Sequence, residues 1–395
     1  MKMTYDFDRM TERRGTNSLK WEVGEKELPM WVADMDFETA PAIREAIENR
    51  AANGIFGYET VPGEWYRSIQ SWWADRYGFV IKKEWLVFAG GVIPTVSSAV
   101  RKFTTVGEKV LVQTPAYPVF FHSIRNNGRH VAENRLRYDG IQYRVDFADL
   151  EKKLSDPQTT MMILCNPHNP AGKRWDAQTL ERIGALCAKY HVLVLADEIH
   201  CDLTDPGYVY VPFASVSEEC AANSITCISP SKSFNLAGLQ SAAVIVPDEN
   251  LRHKMERALN TDEAAEPNSF AVCAAIAAYT KGAEWLDALR EYLYENKKFA
   301  VEFLEKEVPG ITAVPSEATY LLWLDCKGTV GSASQLCRYT RQNTGLYLSD
   351  GAAYGGNGER FLRMNLACPR ERLADGLKRL KEAVPGFEKW EVSLC

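Results

Sequence analysis

Five short stretches of this 395-residue chain carry side chains that could do chemistry together. They are Gly90-Gly91-Val92-Ile93-Pro94, Pro115-Ala116-Tyr117, Asn166-Pro167-His168-Asn169-Pro170-Ala171-Gly172, Asp197-Glu198-Ile199-His200 and Ser229-Pro230-Ser231-Lys232-Ser233. Read singly, each has an ordinary explanation. Paired glycines before a helix make a turn, Tyr117 packs, Asn169-Pro170 turns the chain, Asp197 caps, and Lys232 is a solvated charge. Read together they offer a helix start for a phosphate, an aromatic platform, an amide, a carboxylate and an amine.

Pyridoxal phosphate is the ligand that uses all five. Its phosphate needs backbone donors at a helix N-terminus, which Gly91, Val92 and Ile93 supply, and Ser229 and Ser231 can add hydroxyls. Tyr117 can stack on the ring. Asp197, as a buried carboxylate, favours the protonated ring nitrogen that makes the ring an electron sink. Asn169 can donate to the ring oxygen. Lys232 supplies the amine that condenses with the aldehyde. A free lysine is neutral about once in 2,500 molecules at pH 7, so burial near a cationic group must help.

These side chains need a scaffold that brings strand ends together. Apolar runs at 86–90, 109–114, 159–165, 191–197, 224–229 and 241–247 alternate with helical patterns such as 176–190. Continuous apolar strands alternating with helices indicate a mostly parallel sheet covered on both faces, and such sheets bind ligands beyond their carboxyl ends. Upstream, residues 1–45 read as an extended arm and then a helix, with Pro41 in its first turn and Thr39 as its cap. Trp65, Ile69, Trp72, Trp73 and Tyr77 recur at helical spacing. Downstream, 282–307 reads as one long helix stopped at Pro309-Gly310, followed by strands at 318–326, 345–350 and 361–367 and a helix at 371–384. The division expected is a large unit, 46–281, and a smaller α+β unit made of 1–45 and 282–395.

Composition narrows the class. Apolar residues are 46% and charged residues 25%, which is ordinary for a folded domain and excludes a disordered or fibrous chain. The net charge of −6, with no basic block, gives no reason to expect nucleic acid. The ten cysteines form no CxxC pair, so neither a zinc site nor a redox pair is indicated, and reduced thiols in a cytoplasmic protein are expected. The apolar stretch Phe270–Thr280, at 11 residues, is well short of the ~20 that a spanning helix needs.

Asn-Pro-His-Asn-Pro-Ala-Gly, Asp-Glu-Ile-His and Ser-Pro-Ser-Lys at these spacings resemble the fold-type-I pyridoxal-phosphate enzymes of the aminotransferase class I/II superfamily. Trp31-Val32-Ala33-Asp34-Met35-Asp36-Phe37, Phe103-Thr104 and Ser231-Lys232-Ser233-Phe234-Asn235-Leu236 are similar to its MalY/PatB-type branch, the cystathionine β-lyases. Two departures from ordinary aminotransferases fit that branch. His200 stands where they place a tyrosine on the ring oxygen, and Gln240 where they place a phosphate-binding arginine. The resemblance implies an α/β fold with a seven-stranded sheet and a small α+β domain. It also implies that Arg363, together with Asn169, holds a substrate α-carboxylate, that Ala33 and Tyr354 line the substrate site, and that Tyr58 reaches the phosphate in the neighbouring subunit of a homodimer. The activity implied is α,β-elimination from cystathionine or cysteine-type amino acids, giving pyruvate, ammonia and a thiol. Transamination shares the early steps and stays open, as does a cofactor-binding regulator without catalysis. Regulators of that kind carry a DNA-binding domain ahead of this fold, and here the pattern starts within the first forty residues.

Overall fold

A computed structural model describes residues 5–394. Its centre is a seven-stranded sheet in the order Leu86–Ala89, Ala242–Ile245, Ser224–Ile228, Leu193–Asp197, Thr159–Cys165, Lys109–Thr114 and His130–Arg135. All neighbours are parallel except Ala242–Ile245, which runs antiparallel to both of its partners. The parallel strands are nearly continuous in apolar residues because both faces are covered. Val110, Val112, Ile163, Leu195 and Cys227 face the helices Val92–Phe103 and Glu249–Thr261, in one buried cluster. Leu111, Met162, Leu164, Val194 and Ala196 face the other way, against Leu180 and Ile183 of the helix Ala177–Lys189.

Six of these strands answer to the six apolar runs. The seventh, His130–Arg135, has the sequence HVAENR, and its residues are mostly half-buried or exposed. It lies at the sheet edge, where charged residues discourage pairing with another chain, so it lacks the apolar signature of the others.

Register decides where the site falls. Cys165, Asp197 and Cys227 lie abreast at the ends of three adjacent strands. The segments that follow each of them therefore open on the same edge of the sheet.

A second, antiparallel sheet runs Thr312–Ala313, Leu321–Asp325, Phe361–Asn365, Ser349–Asp350. The single strand expected at 345–350 is in fact two. Leu346–Tyr347 pairs in parallel with Leu28–Pro29, and Ser349–Asp350 pairs with Phe361–Asn365. The N-terminal arm is thereby tied to the C-terminal unit. The long helix spans Ala283–Glu307 and carries a buried ion pair, Lys297 to Asp205 at 2.7 Å.

Three local expectations need correction. Thr39 does not cap the helix Pro41–Ala52; Ala40 holds that position without a side-chain bond, and the Thr39 hydroxyl is buried without a partner. That helix also straddles the expected boundary after residue 45. The last helix runs Arg370–Leu394, straight through Pro385. An interior proline costs a helix about 3 kcal/mol. Here the continuation buries Phe387 fully and sets Phe387 and Trp390 against Tyr339, at 5.6 and 5.8 Å between ring centroids. Burying aromatic surface of that size offsets the loss. No described helix is long and apolar enough to cross a membrane.

Candidate active site

The glycine-rich stretch ends at Gly91, whose φ of 140° is a conformation that side-chain-bearing residues rarely adopt. The helix Val92–Phe103 starts there without a capping side chain. Among the described residues no acceptor meets the amides of Gly91, Val92 and Ile93. Pro94 contributes no donor, and the Thr95 amide is the first to bond back, to Gly91 at 3.2 Å. Three consecutive free donors at the positive end of a helix make a place for an anion.

These donors open into a cavity of about 220 Å³. Ala33, Gly91, Val92, Ile93, Tyr117, Asn169, Asp197, His200, Ser229, Ser231 and Lys232 all line it, as does Gln240. Tyr117 sits just ahead of the helix Pro118–Asn126, its ring edge-on to Phe120 at 5.7 Å. Ser229 Oγ donates to the Ser241 carbonyl at 2.6 Å and accepts from the Ser231 amide at 3.1 Å. Its proton is therefore spent, and the Ser231 hydroxyl, 2.9 Å from Ser229 Oγ, is the one whose proton can turn from Ser229 to a ligand.

Asp197 is buried at the end of its strand, and its Oδ1 accepts from the Ile199 amide at 3.1 Å. Burial raises its pKa to about 6, against the lowering pull of that amide and of Lys232. No cation pairs with it among the described residues. His200, three residues on, is driven down to about 3 by burial and then by Lys232 and Arg363, so its ring is neutral. Its Nδ1 is buried without a partner.

Lys232 lies in the loop after Ser224–Ile228, with Nζ 2.6 Å from the Ala33 carbonyl. Burial lowers its pKa to about 8; Asp34 and Asp197 pull it up and Arg363 pushes it down. A second cavity, of about 520 Å³, begins at the same lysine. It shares Ala33, Tyr117 and Lys232 with the first and adds Tyr354 and Arg363.

Arg363 occupies an inner strand of the small sheet and is only 4% exposed. Its Nη1 donates to Asn169 Oδ1 at 3.0 Å, and its Nη2 to the Trp31 carbonyl at 2.7 Å. Nε is buried without a partner. No carboxylate pairs with this cation among the described residues. Tyr354 packs against it, with the guanidinium carbon 5.2 Å from the ring centroid. Because Asn169 spends its oxygen on Arg363, its amide nitrogen is left to donate into the first cavity.

Tyr58 is the one predicted site residue that this chain does not bring to either cavity. It is fully exposed, in the loop after the helix Pro41–Ala52. Sequence reasoning also passed over the residues that hold the arm in place. Asn235 bonds the Met35 amide and the Met35 and Phe37 carbonyls, and Asn365 donates to the Val32 and Asp34 carbonyls at 2.6 Å each. Asp36, fully buried, meets Arg13, Lys20 and Arg372 at 2.8, 3.1 and 3.0 Å. Burial raises its pKa, but Lys20 and Arg372 outweigh that and hold it below the ordinary range. The signal was the Ala33-Asp34-Met35-Asp36 run, whose acids have no reason to be apolar-flanked unless cations wait for them.

Residues 26–380 match the family described as aminotransferase class I and II. The chain belongs to that family. It is 43% identical to the cystathionine β-lyase PatB of Bacillus subtilis, over 96% of this chain and all of that one. The crystal structure of cystalysin from Treponema denticola, which contains a pyridoxal 5'-phosphate cofactor, superposes with a TM-score of 0.94 at 31% identity, covering 97% of this chain and 100% of that one. The PLP-bound C–S lyase from Staphylococcus hominis gives a TM-score of 0.90 at 33% identity, covering 97% and 98%.

The residues of the first cavity fit that cofactor on their own evidence. Free amides and the Ser231 hydroxyl face an anion, Asp197 has no cation beside it among the described residues, and Tyr117 offers a ring face.

Proposed function

We propose that this chain is a pyridoxal-phosphate-dependent carbon–sulfur lyase. It eliminates a thiol from an amino acid carrying sulfur on Cβ, and water completes the balance to pyruvate and ammonia. The observation that carries the reading is the position of Lys232, at the junction of two cavities. One ends in free anion donors, and the other holds the buried Arg363 guanidinium, which has no carboxylate partner among the described residues.

When bound, pyridoxal phosphate supplies an aldehyde that condenses with amines and a ring that accepts the electrons of a broken Cα–H bond. Around it the chain's own groups divide the work. The amides of Gly91, Val92 and Ile93 and the hydroxyl of Ser231 hold the phosphate, with Ser229 orienting Ser231. Tyr117 would cover a ring face, Asp197 would keep the ring nitrogen protonated, and the Asn169 amide would donate to the ring oxygen, with neutral His200 lining the same cavity. Arg363 binds the α-carboxylate through its fork, which fixes how Cα presents its hydrogen. Lys232 Nζ, as a free amine, would take that proton; a lysine brought down to about 8 is suited to the task. Ala33 and Tyr354 shape the wall. The exposed Tyr58 serves the phosphate of a second copy, so the working unit is a homodimer.

The preference for elimination over transamination rests on the lyase relatives and on His200 and Gln240. Incubating the holoenzyme with cystathionine decides it. Pyruvate formed without any added 2-oxo acid is expected; amino transfer that appears only when an oxo acid is supplied overturns the reading.

A further inference from the structure

We infer that the larger cavity ends in a subsite for a charged leaving group, and that Arg338 is its specificity-determining residue. The inference rests on the lyase reading and names what leaves. With the α-carboxylate on Arg363 and the reacting carbon at Lys232, the sulfur substituent has only the rest of the 520 Å³ cavity to occupy. That space runs outward to the helix Ala333–Thr344 and the strand Ser349–Asp350.

Two arginines of that helix line the outer end, and they differ. Arg341 is spent: it bonds Glu27 through Nε and Nη2 at 2.6 and 3.1 Å and stacks on Tyr347 at 3.6 Å. Arg338 is exposed at the cavity mouth and has no hydrogen bond and no carboxylate partner among the described residues. Opposite in charge, Asp350 lines the same end. Its Oδ1 accepts from Ser334 Oγ at 2.8 Å and the Ala352 amide at 2.9 Å, while Oδ2 accepts from no described residue. One free guanidinium and one free carboxylate oxygen form a dipolar end. The thiol that fits bears a carboxylate, taken by Arg338, with an ammonium beside it facing Asp350. A short alkyl thiol would leave both charges unused.

The test compares kcat/KM for L,L-cystathionine, whose leaving thiol is an amino acid, with that for S-methyl-L-cysteine. An ion pair at an exposed arginine contributes up to about 1 kcal/mol. At 1.4 kcal/mol per tenfold, Arg338→Gln should lower the cystathionine-to-methylcysteine ratio about fivefold, and Arg338→Lys should restore most of it. A ratio that stays within threefold of wild type in R338Q overturns the subsite. So does an equal loss on both substrates, which marks a structural role. If wild type releases pyruvate from neither compound, the lyase reading itself fails and the subsite falls with it.

Discussion

Replacing Arg363 with glutamine is the sharpest perturbation of the substrate site. The guanidinium is 4% exposed and lacks an anionic partner, and two of its nitrogens are held by Asn169 and the Trp31 carbonyl. Such a cation is costly to bury unless something completes it. A substrate carboxylate does so with two parallel charge-assisted bonds, each worth roughly 1.5–3 kcal/mol. Glutamine retains one short donor and no charge. The expected loss is therefore about 3–4 kcal/mol, or roughly 10²–10³ in kcat/KM for cystathionine. Arg363 does not line the smaller cavity, so cofactor affinity should change little. Pyruvate release gives the first quantity and a titration of cofactor absorbance the second. Activity within threefold of wild type would refute the carboxylate role. Parallel loss of cofactor would show that Arg363 only supports the fold.

Asp36→Asn should destabilise the protein by about 3–5 kcal/mol, because Arg13, Lys20 and Arg372 lose the carboxylate they converge on; thermal melts check it, and an unchanged melting temperature would refute the assignment. The lowered Lys232 pKa of about 8 sets the pH dependence of cofactor capture by the apoprotein. Only the neutral amine attacks the aldehyde, so capture should rise about tenfold per unit below pH 8 and level off above it. A midpoint near 10 would mean that burial does not act on this amine. Ser229→Ala should weaken cofactor binding less than Ser231→Ala, since the Ser229 proton is committed to Ser241; equilibrium dialysis of the cofactor ranks the two, and the reverse order would contradict the hydroxyl assignment.

Much of the site was legible because its chemistry sits at strand ends. Asp197 and Lys232 terminate or follow continuous apolar runs, and the parallel register that sets Cys165, Asp197 and Cys227 abreast is a regular property of such sheets. Their juxtaposition could be read before any coordinates. His130–Arg135 could not, because an edge strand needs no apolar alternation. Nor could the extension of the last helix beyond Pro385, which depends on tertiary contacts of Phe387 with Tyr339. The pairing of Leu28–Pro29 with Leu346–Tyr347 joins segments over three hundred residues apart, and no local pattern encodes it. Asn235 and Asn365 were hidden for a related reason: an asparagine that satisfies distant carbonyls looks in sequence like a turn residue. Arg363 shows the limit from the other side. Alternation along Phe361–Asn365 allowed it to be an exposed residue of an edge strand, and only the strand order shows it to be inside.

Lys232 is the residue on which both cofactor attachment and catalysis depend. Holoenzyme reduced with borohydride, digested and analysed by mass spectrometry should carry the cofactor on the peptide containing Lys232 and on no other lysine. Lys232→Ala should lose both that adduct and the release of pyruvate from cystathionine. An adduct on a different lysine, or a Lys232→Ala protein that still releases pyruvate at the wild-type rate, would contradict that dependence.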